Sequence, residues 1–407
     1  MTARPQPSRR PAALIGGGLG AIAALTPGAV PRSLPVSALS VAVAGLLGMT
    51  LGLALAAVTR RSLRPPRALI AAGLAVGAAC LAGSVWWQQQ LRAAMGMAPV
   101  SPLWVAATVA ATLVPAVVLA VPGRLWAAGA VSAGLLASTG ALPAPAHGQT
   151  AAARHEHEIL DYGALSDAPD AAGRAQVAVR RWSAHGGLDR RAVVLAVPTG
   201  SGWVDGAALD GFRDRFDGSV RTVAVQYADV PSWQAWLTDS GQAGAGAVAL
   251  LAELSARLAQ RPAAERPAIY LYGQSLGATG AEHARRWAHD HGVPVAGTVL
   301  AGVPGGGPAP DGCGDPLVLT NASDPVAALA PSLLWRPPSP PARAGLTRSA
   351  SPQPPWLPGL SFLARGLDLL DALHVPVGHG HRYGTEQGRA VPDPDRCQPA
   401  IGPRAAS

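Results

Sequence analysis

Apolar and polar positions divide the chain into two halves of different character. After a polar start at residues 1–10, apolar runs fall at about 11–30, 35–58, 67–87, 102–122 and 124–142. Each is near the ~20 residues that an α-helix needs to cross a bilayer. None contains an acidic residue. Gly and Ala are frequent in them, which suits close helix packing in lipid. Gly16-Gly-Gly-Leu-Gly20 fits such packing better than a phosphate loop, because no strand precedes it. Trp86, Trp87, Trp104 and Trp126 stand at run ends, as an interfacial aromatic belt would. The fifth run is the most diluted by Ala and Gly, and it ends at Ala144-Pro-Ala146, the small residues of a cleavage site. The pattern predicts an N-terminal all-α transmembrane bundle of about five helices over residues 1–145.

Residues 146–190 are more polar and read as a linker and lead-in. From 191 the period changes to that of alternating strands and helices, which predicts an α/β domain with a mostly parallel sheet over 191–390. Strands are expected at Ala192–Val197, Val220–Gln226, Ala268–Tyr272, Val293–Leu300 and Pro316–Thr320, with a last short one at His374–Val377. Helices are expected at Gly244–Leu258, after Ser275 to about Asp290, and at Leu360–Leu373. Residues 331–358 are Pro-rich and resist regular structure, and 391–407 read as a loose tail.

Charge follows the same division. Residues 1–150 hold ten Arg and no acid, whereas 151–407 hold 22 Arg against 24 acids. The formal charge of +8 therefore comes from the first half, and no basic patch on a soluble domain points to nucleic acid. Arg also sets orientation. The N-terminus, the second loop (Arg60, Arg61, Arg64, Arg67) and the fourth (Arg124) carry eight, against Arg32 and Arg92 in the other two loops. This places the N-terminus inside. Five spans put everything after about residue 143 outside, and four would put it inside. Cys313 and Cys397 could pair only in the first case. His155-Glu-His-Glu158 reads as an alternating surface stretch, since nothing nearby completes a ligand set. No metal or cofactor is expected.

The chemistry concentrates at Gly273-Gln-Ser-Leu-Gly277. This is G-x-S-x-G between a strand and a helix, the nucleophile elbow of α/β-hydrolases. The serine needs a strained backbone, and its flanking glycines remove a Cβ that would clash. A base and an orienting acid should follow in the order Ser, Asp or Glu, His, on loops at strand ends. Asp324 follows the strand ending at Thr320, although Asp324-Pro325 also spells a helix cap. Asp315 and Asp371 are weaker rivals. His379 and His381 follow the last expected strand, and His379 is favoured as base because it stands nearest the strand end. The oxyanion hole is expected from the N–H of Leu276 and of Ser201, in the Thr199-Gly-Ser-Gly202 turn.

Longer stretches also carry a resemblance. They include Leu25-Thr-Pro27 with Pro31, Pro198-Thr-Gly-Ser-Gly-Trp-Val-Asp205, Gln226-Tyr227 with Pro231-Ser-Trp233, Ala322-Ser-Asp-Pro325, Leu333-Leu-Trp-Arg336 and Gly378-His-Gly-His381. Over most of its length the chain resembles actinobacterial-type multispan membrane proteins with a C-terminal α/β-hydrolase catalytic domain. Gln274 stands where that family has Glu, and the segment 301–320 is shorter. The resemblance implies a serine hydrolase without supplying a substrate.

The expectation is a multi-pass cell-membrane protein whose partner is the lipid bilayer. It bears an extracytoplasmic serine esterase or lipase-like domain acting on an acyl ester or lipid. Acyl transfer by the same residues is the alternative. A transporter or scaffold with a degenerate hydrolase domain is disfavoured, because all three triad residue types are present and the apolar runs lack acids for an ion path.

Overall fold

The computed structural model describes residues 10–59, 65–120, 158–230, 241–307, 315–338, 345–346 and 351–391. The expected fifth span, the Pro231-Ser-Trp233 stretch, His155 and the Cys313–Cys397 pair lie wholly or partly outside them. The chain divides into two compact units. One comprises Met1–His147, Leu329–Pro338 and Ala350–Pro376, and the other Gly148–Ala328, Ser339–Ser349 and Val377–Ser407.

The first unit begins with α1 (Arg10–Ala24), α2 (Leu34–Thr59), α3 (Arg67–Ala94), α4 (Pro102–Thr112) and α5 (Val114–Ala120). Among the described residues α2 and α3 are long and apolar enough to cross a membrane. α4 and α5 are bent by 41° at Leu113 and would make a third span if counted together. This corrects the expectation of about five. α1 has 15 residues and so a length of roughly 22 Å, short of the ~30 Å hydrocarbon thickness. Apolarity alone could not reveal that its helix ends at Ala24, where Thr26-Pro27 interrupts the backbone ladder.

The glycines expected to pack helices closely do so. A methyl on Gly16 would overlap the Gly48 carbonyl, one on Gly20 the Ala44 carbonyl, and one on Gly52 the Ala12 carbonyl. α1 and α2 therefore cross with their backbones in near contact. Gly48→Leu should cost about 1–3 kcal/mol through overpacking. Gly18→Leu is the control, because its added Cβ would meet open space. Thermal unfolding of the detergent-solubilised chain should separate the two. Equal melting would refute the close crossing.

The second unit is built on seven parallel strands: β1 (Leu160–Gly163), β2 (Ala192–Val197), β3 (Val220–Val225), β4 (Ala268–Gln274), β5 (Gly297–Ala301), β6 (Leu317–Thr320) and β7 (Gly345–Leu346). Their order is β1-β3-β2-β4-β5-β6-β7. All six residues of β2 are buried. Val193, Leu195 and Val197 join the core on one face, and Ala192, Val194 and Ala196 the core on the other. Burial on both faces is why this strand reads as a continuous apolar run. The covering helices include α6 (Ala171–Ala184), α7 (Gly206–Arg215), α8 (Gly241–Ala259) and α9 (Leu276–Asp290).

Residues 146–190, expected to be a linker and lead-in, supply β1 and α6. β1 holds Asp161, buried and paired with Arg221 at 2.7 Å, so its four-residue pattern looks polar although it is interior. No strand forms at His374–Val377, and the expected helix there is shorter. It follows α10 (Pro325–Ala328) as α11 (Leu360–Asp368) and folds with the first unit. The chain thus leaves the second unit after Ala328 and re-enters it for good at Val377.

Candidate active site

The strand order reverses between β2 and β4. From β2 the chain moves outward to β3, then crosses back past β2 to β4. Ligands of open parallel sheets bind at the carboxyl ends of the strands flanking such a reversal. The turn after β2 and the turn after β4 hold Ser201 and Ser275, the two serines singled out from sequence.

Ser275 has φ 56° and ψ −127°. Asp217 is the only other non-glycine at positive φ among the described residues. Such a conformation costs about 1–3 kcal/mol and persists only where its surroundings enforce it. The Ser275 N–H donates to the Ala301 carbonyl at 2.9 Å. A Cβ on Gly273 would overlap the Gly277 backbone, and one on Gly277 would overlap the Val197 carbonyl and lie 2.8 Å from the Pro198 carbonyl. The two glycines of the motif are therefore steric requirements, met because α9 starts tight against the end of β2. Ser275 is partly exposed while both neighbours are buried. Leu276 opens α9, so its N–H is one that the helix leaves without an internal acceptor. The facing turn is pinned by Gly202 N–H donating to Thr199 O at 2.8 Å and by the Tyr162 hydroxyl donating to Gly202 O at 2.7 Å. Within it the Thr199 and Ser201 hydroxyls lie 3.1 Å apart.

Asp324 follows β6 and is buried. Its Oδ1 accepts from the Val326 N–H at 2.8 Å, capping α10. Its Oδ2 lies 2.9 Å from His381 Nδ1 and accepts from the Tyr383 hydroxyl at 2.6 Å. The cap of α10 and the partner of the His381 ring are thus one carboxylate using different oxygens. His381 Nε2 is buried and has no hydrogen-bond partner among the described residues, so Ser275 and His381 are not hydrogen-bonded here. Nucleophile–base contacts are commonly loose without substrate.

His379 was favoured from sequence, yet the ring on Asp324 belongs to His381. The reason is the absent strand. His379 instead sits in a tight turn, flanked by Gly378 and Gly380 at φ 87° and 51° and bridged to Arg382. Burial lowers its pKa below the usual histidine value. Asp371 belongs to the first unit, where its carboxylate accepts from the Ser33 N–H at 2.7 Å.

Several supporting residues escaped sequence reasoning. Ser323 Oγ accepts from the Gly380 N–H at 2.8 Å, and Asn321 Nδ2 donates to Gly380 O at 3.0 Å. Ser323 lies in the Ala322–Pro325 motif that yielded Asp324, and Asn321 stands just before it. Tyr383, two residues beyond His381, is held well above the usual tyrosine pKa by burial first and by Asp324 next. It stays protonated and keeps donating to the carboxylate. Gly302, at φ 56°, leaves room for the pair. A Cβ there would lie 2.5 Å from His381 Cε1 and 3.0 Å from Asp324 Oδ2. Gly302→Ala should lower kcat/KM about 10²-fold, because ångström-scale displacement of a catalytic group costs that much. An unchanged kcat/KM in a folded variant would show that the ring is not needed where it stands.

The chain matches the model of an alpha/beta-hydrolase family over residues 159–310 and 315–393. The N-terminus model of an alpha/beta-hydrolase family matches residues 25–153. No curated protein and no solved structure matches the chain. The first of these matches takes in the elbow, Asp324, His381 and every strand of the sheet, and on that ground the chain belongs to the alpha/beta-hydrolase family.

Proposed function

We propose that the protein is a serine hydrolase of acyl esters, tied to a membrane by its N-terminal helices. The observation that carries this reading is Ser275 in its strained turn, on the same strand-end surface as the buried Asp324–His381 pair. In this mechanism Ser275 Oγ attacks the acyl carbonyl while His381 Nε2 takes its proton. Asp324 holds the imidazole in the tautomer that leaves Nε2 free to accept, and it stabilises the imidazolium that forms. The N–H groups of Leu276 and Ser201 receive the negative charge that develops on the carbonyl oxygen. The imidazolium then protonates the departing alcohol. Water, deprotonated by the same imidazole, releases the acyl group from Ser275. His379 has no part in this relay.

Two long apolar helices support membrane attachment. Attachment favours an ester whose acyl chain resides in the bilayer. A fluorophosphonate should form one adduct, on the peptide containing Ser275, as mapped by mass spectrometry of the intact membrane protein. An adduct on a different serine, or none, would remove the mechanism.

A further inference from the structure

α11 is built inside out for a helix facing water. Asp368 is fully buried, as are Ala364 and Arg365 beside it, whereas Leu363 and Leu370 are 56% and 55% exposed. Helical spacing puts Leu363, Leu367 and Leu370, the last just past the helix end, along one side. Its charged residues occupy the other. The preceding turn, which bonds to the helix start through Gly359 N–H and Leu334 O, adds exposed Leu334 and Trp335.

The buried charges fix where this helix lies within the first unit. Asp368 Oδ2 accepts from the Ala29 N–H at 2.7 Å, and Asp371 Oδ2 from the Ser33 N–H at 2.7 Å. Ala29 and Ser33 belong to the loop joining α1 to α2. The same loop accepts from the Trp87 indole at Gly28 O (2.8 Å) and from the Trp104 indole at Arg32 O (3.1 Å). Trp104 stands in the first turn of α4 and Trp87 about two turns before the end of α3, with exposed Trp86 beside it. Indoles gather at the boundary between acyl chains and headgroups. α11 is therefore tethered to the same loop as those indoles, charges inward and leucines outward.

We propose that α11 and the turn that carries Leu334 and Trp335 form an interfacial membrane element, with the Leu363–Leu370 face of α11 seated in the lipid surface. An amphipathic helix with this distribution lies in the interface plane with its apolar side among the upper acyl carbons. A face of this kind left to water would be an aggregation liability. Here it belongs to the same compact unit as the two helices long and apolar enough to cross a membrane. The inference rests on the membrane placement proposed above and is independent of the chemistry at Ser275.

The test uses the full chain in phospholipid nanodiscs, with Cys80, Cys313 and Cys397 replaced by alanine. Single cysteines carry an environment-sensitive fluorophore at Leu363→Cys, Leu370→Cys, Leu47→Cys at the middle of α2, and Asp290→Cys in the second unit. Lipids bear a spin-label quencher either near the headgroup or deep in the acyl chain. The probes on α11 should emit blue-shifted and lose intensity mostly to the shallow quencher, the Leu47 probe mostly to the deep one, and the Asp290 probe to neither. If the Leu47 probe is quenched while both α11 probes emit as in water, the proposal is overturned. Blue-shifted α11 probes without lipid quenching also overturn it, since a protein surface or second copy would then cover the face. If the Leu47 probe escapes quenching, membrane placement itself fails. Fluorophosphonate labelling of each variant reports Ser275 separately.

Discussion

His381→Ala should lower kcat/KM for a short acyl ester by roughly 10⁴–10⁶-fold, the loss seen when the base of a serine triad is removed. His379→Ala should lower it by less than ~10-fold, through loss of packing in the turn and without loss of proton transfer. The contrast follows from one distance. His381 Nδ1 meets Asp324 Oδ2 at 2.9 Å, whereas His379 contributes its carbonyl to a turn with Arg382. Both rings are nearly buried, so a destabilised fold must be separated from a lost base. The His381 variant should melt close to the parent and keep its KM, with the whole change in kcat. It should also lose fluorophosphonate reactivity at Ser275, because the same base activates the serine toward phosphorus. Reversal of the two phenotypes would move the base to His379.

That pair also shows what could be read before the structure was known. Gly273-Gln-Ser-Leu-Gly277 was legible because strand, strained turn and helix all leave marks in one short stretch. Asp324 was legible through its place after a strand. The choice between His379 and His381 was not, because it depended on a strand that does not form and on which of two alternate residues points back to Asp324. β1 was missed because its buried Asp161 is compensated by Arg221, 60 residues away, and a local pattern cannot display that partner. The number of spans failed at α1, where apolarity continues past the helix end. The placement of 329–338 and 350–376 with the N-terminal helices was hidden for a different reason. Asp368 and Asp371 bond to backbone N–H groups, which carry no residue signature more than 300 positions away.

Asp324→Asn should lower kcat by about 10⁴-fold with KM little changed, as when the orienting acid of a triad becomes an amide. The hydrogen-bond count explains why so small a change is not absorbed. Oδ1 accepts from the Val326 N–H, and Oδ2 faces both His381 Nδ1 and the Tyr383 hydroxyl. An amide has one acceptor oxygen and one donor nitrogen for these three demands. If its oxygen keeps the Val326 cap, its NH₂ faces His381 and forces the tautomer that carries the proton on Nε2, which cannot accept from Ser275. If its oxygen keeps His381 and Tyr383, the NH₂ confronts the Val326 N–H and the cap of α10 is lost, at a cost of about 1–2 kcal/mol. Either outcome leaves a buried polar mismatch, so melting should fall as well. Tyr383→Phe separates the two effects. It removes one donor to the same oxygen but leaves the His381 contact, so kcat should drop by less than ~10² while the tautomer is preserved. A Tyr383 variant as inactive as Asp324→Asn would mean that the carboxylate's orientation depends on the phenol, and that the acid in this site works as a dyad with Tyr383.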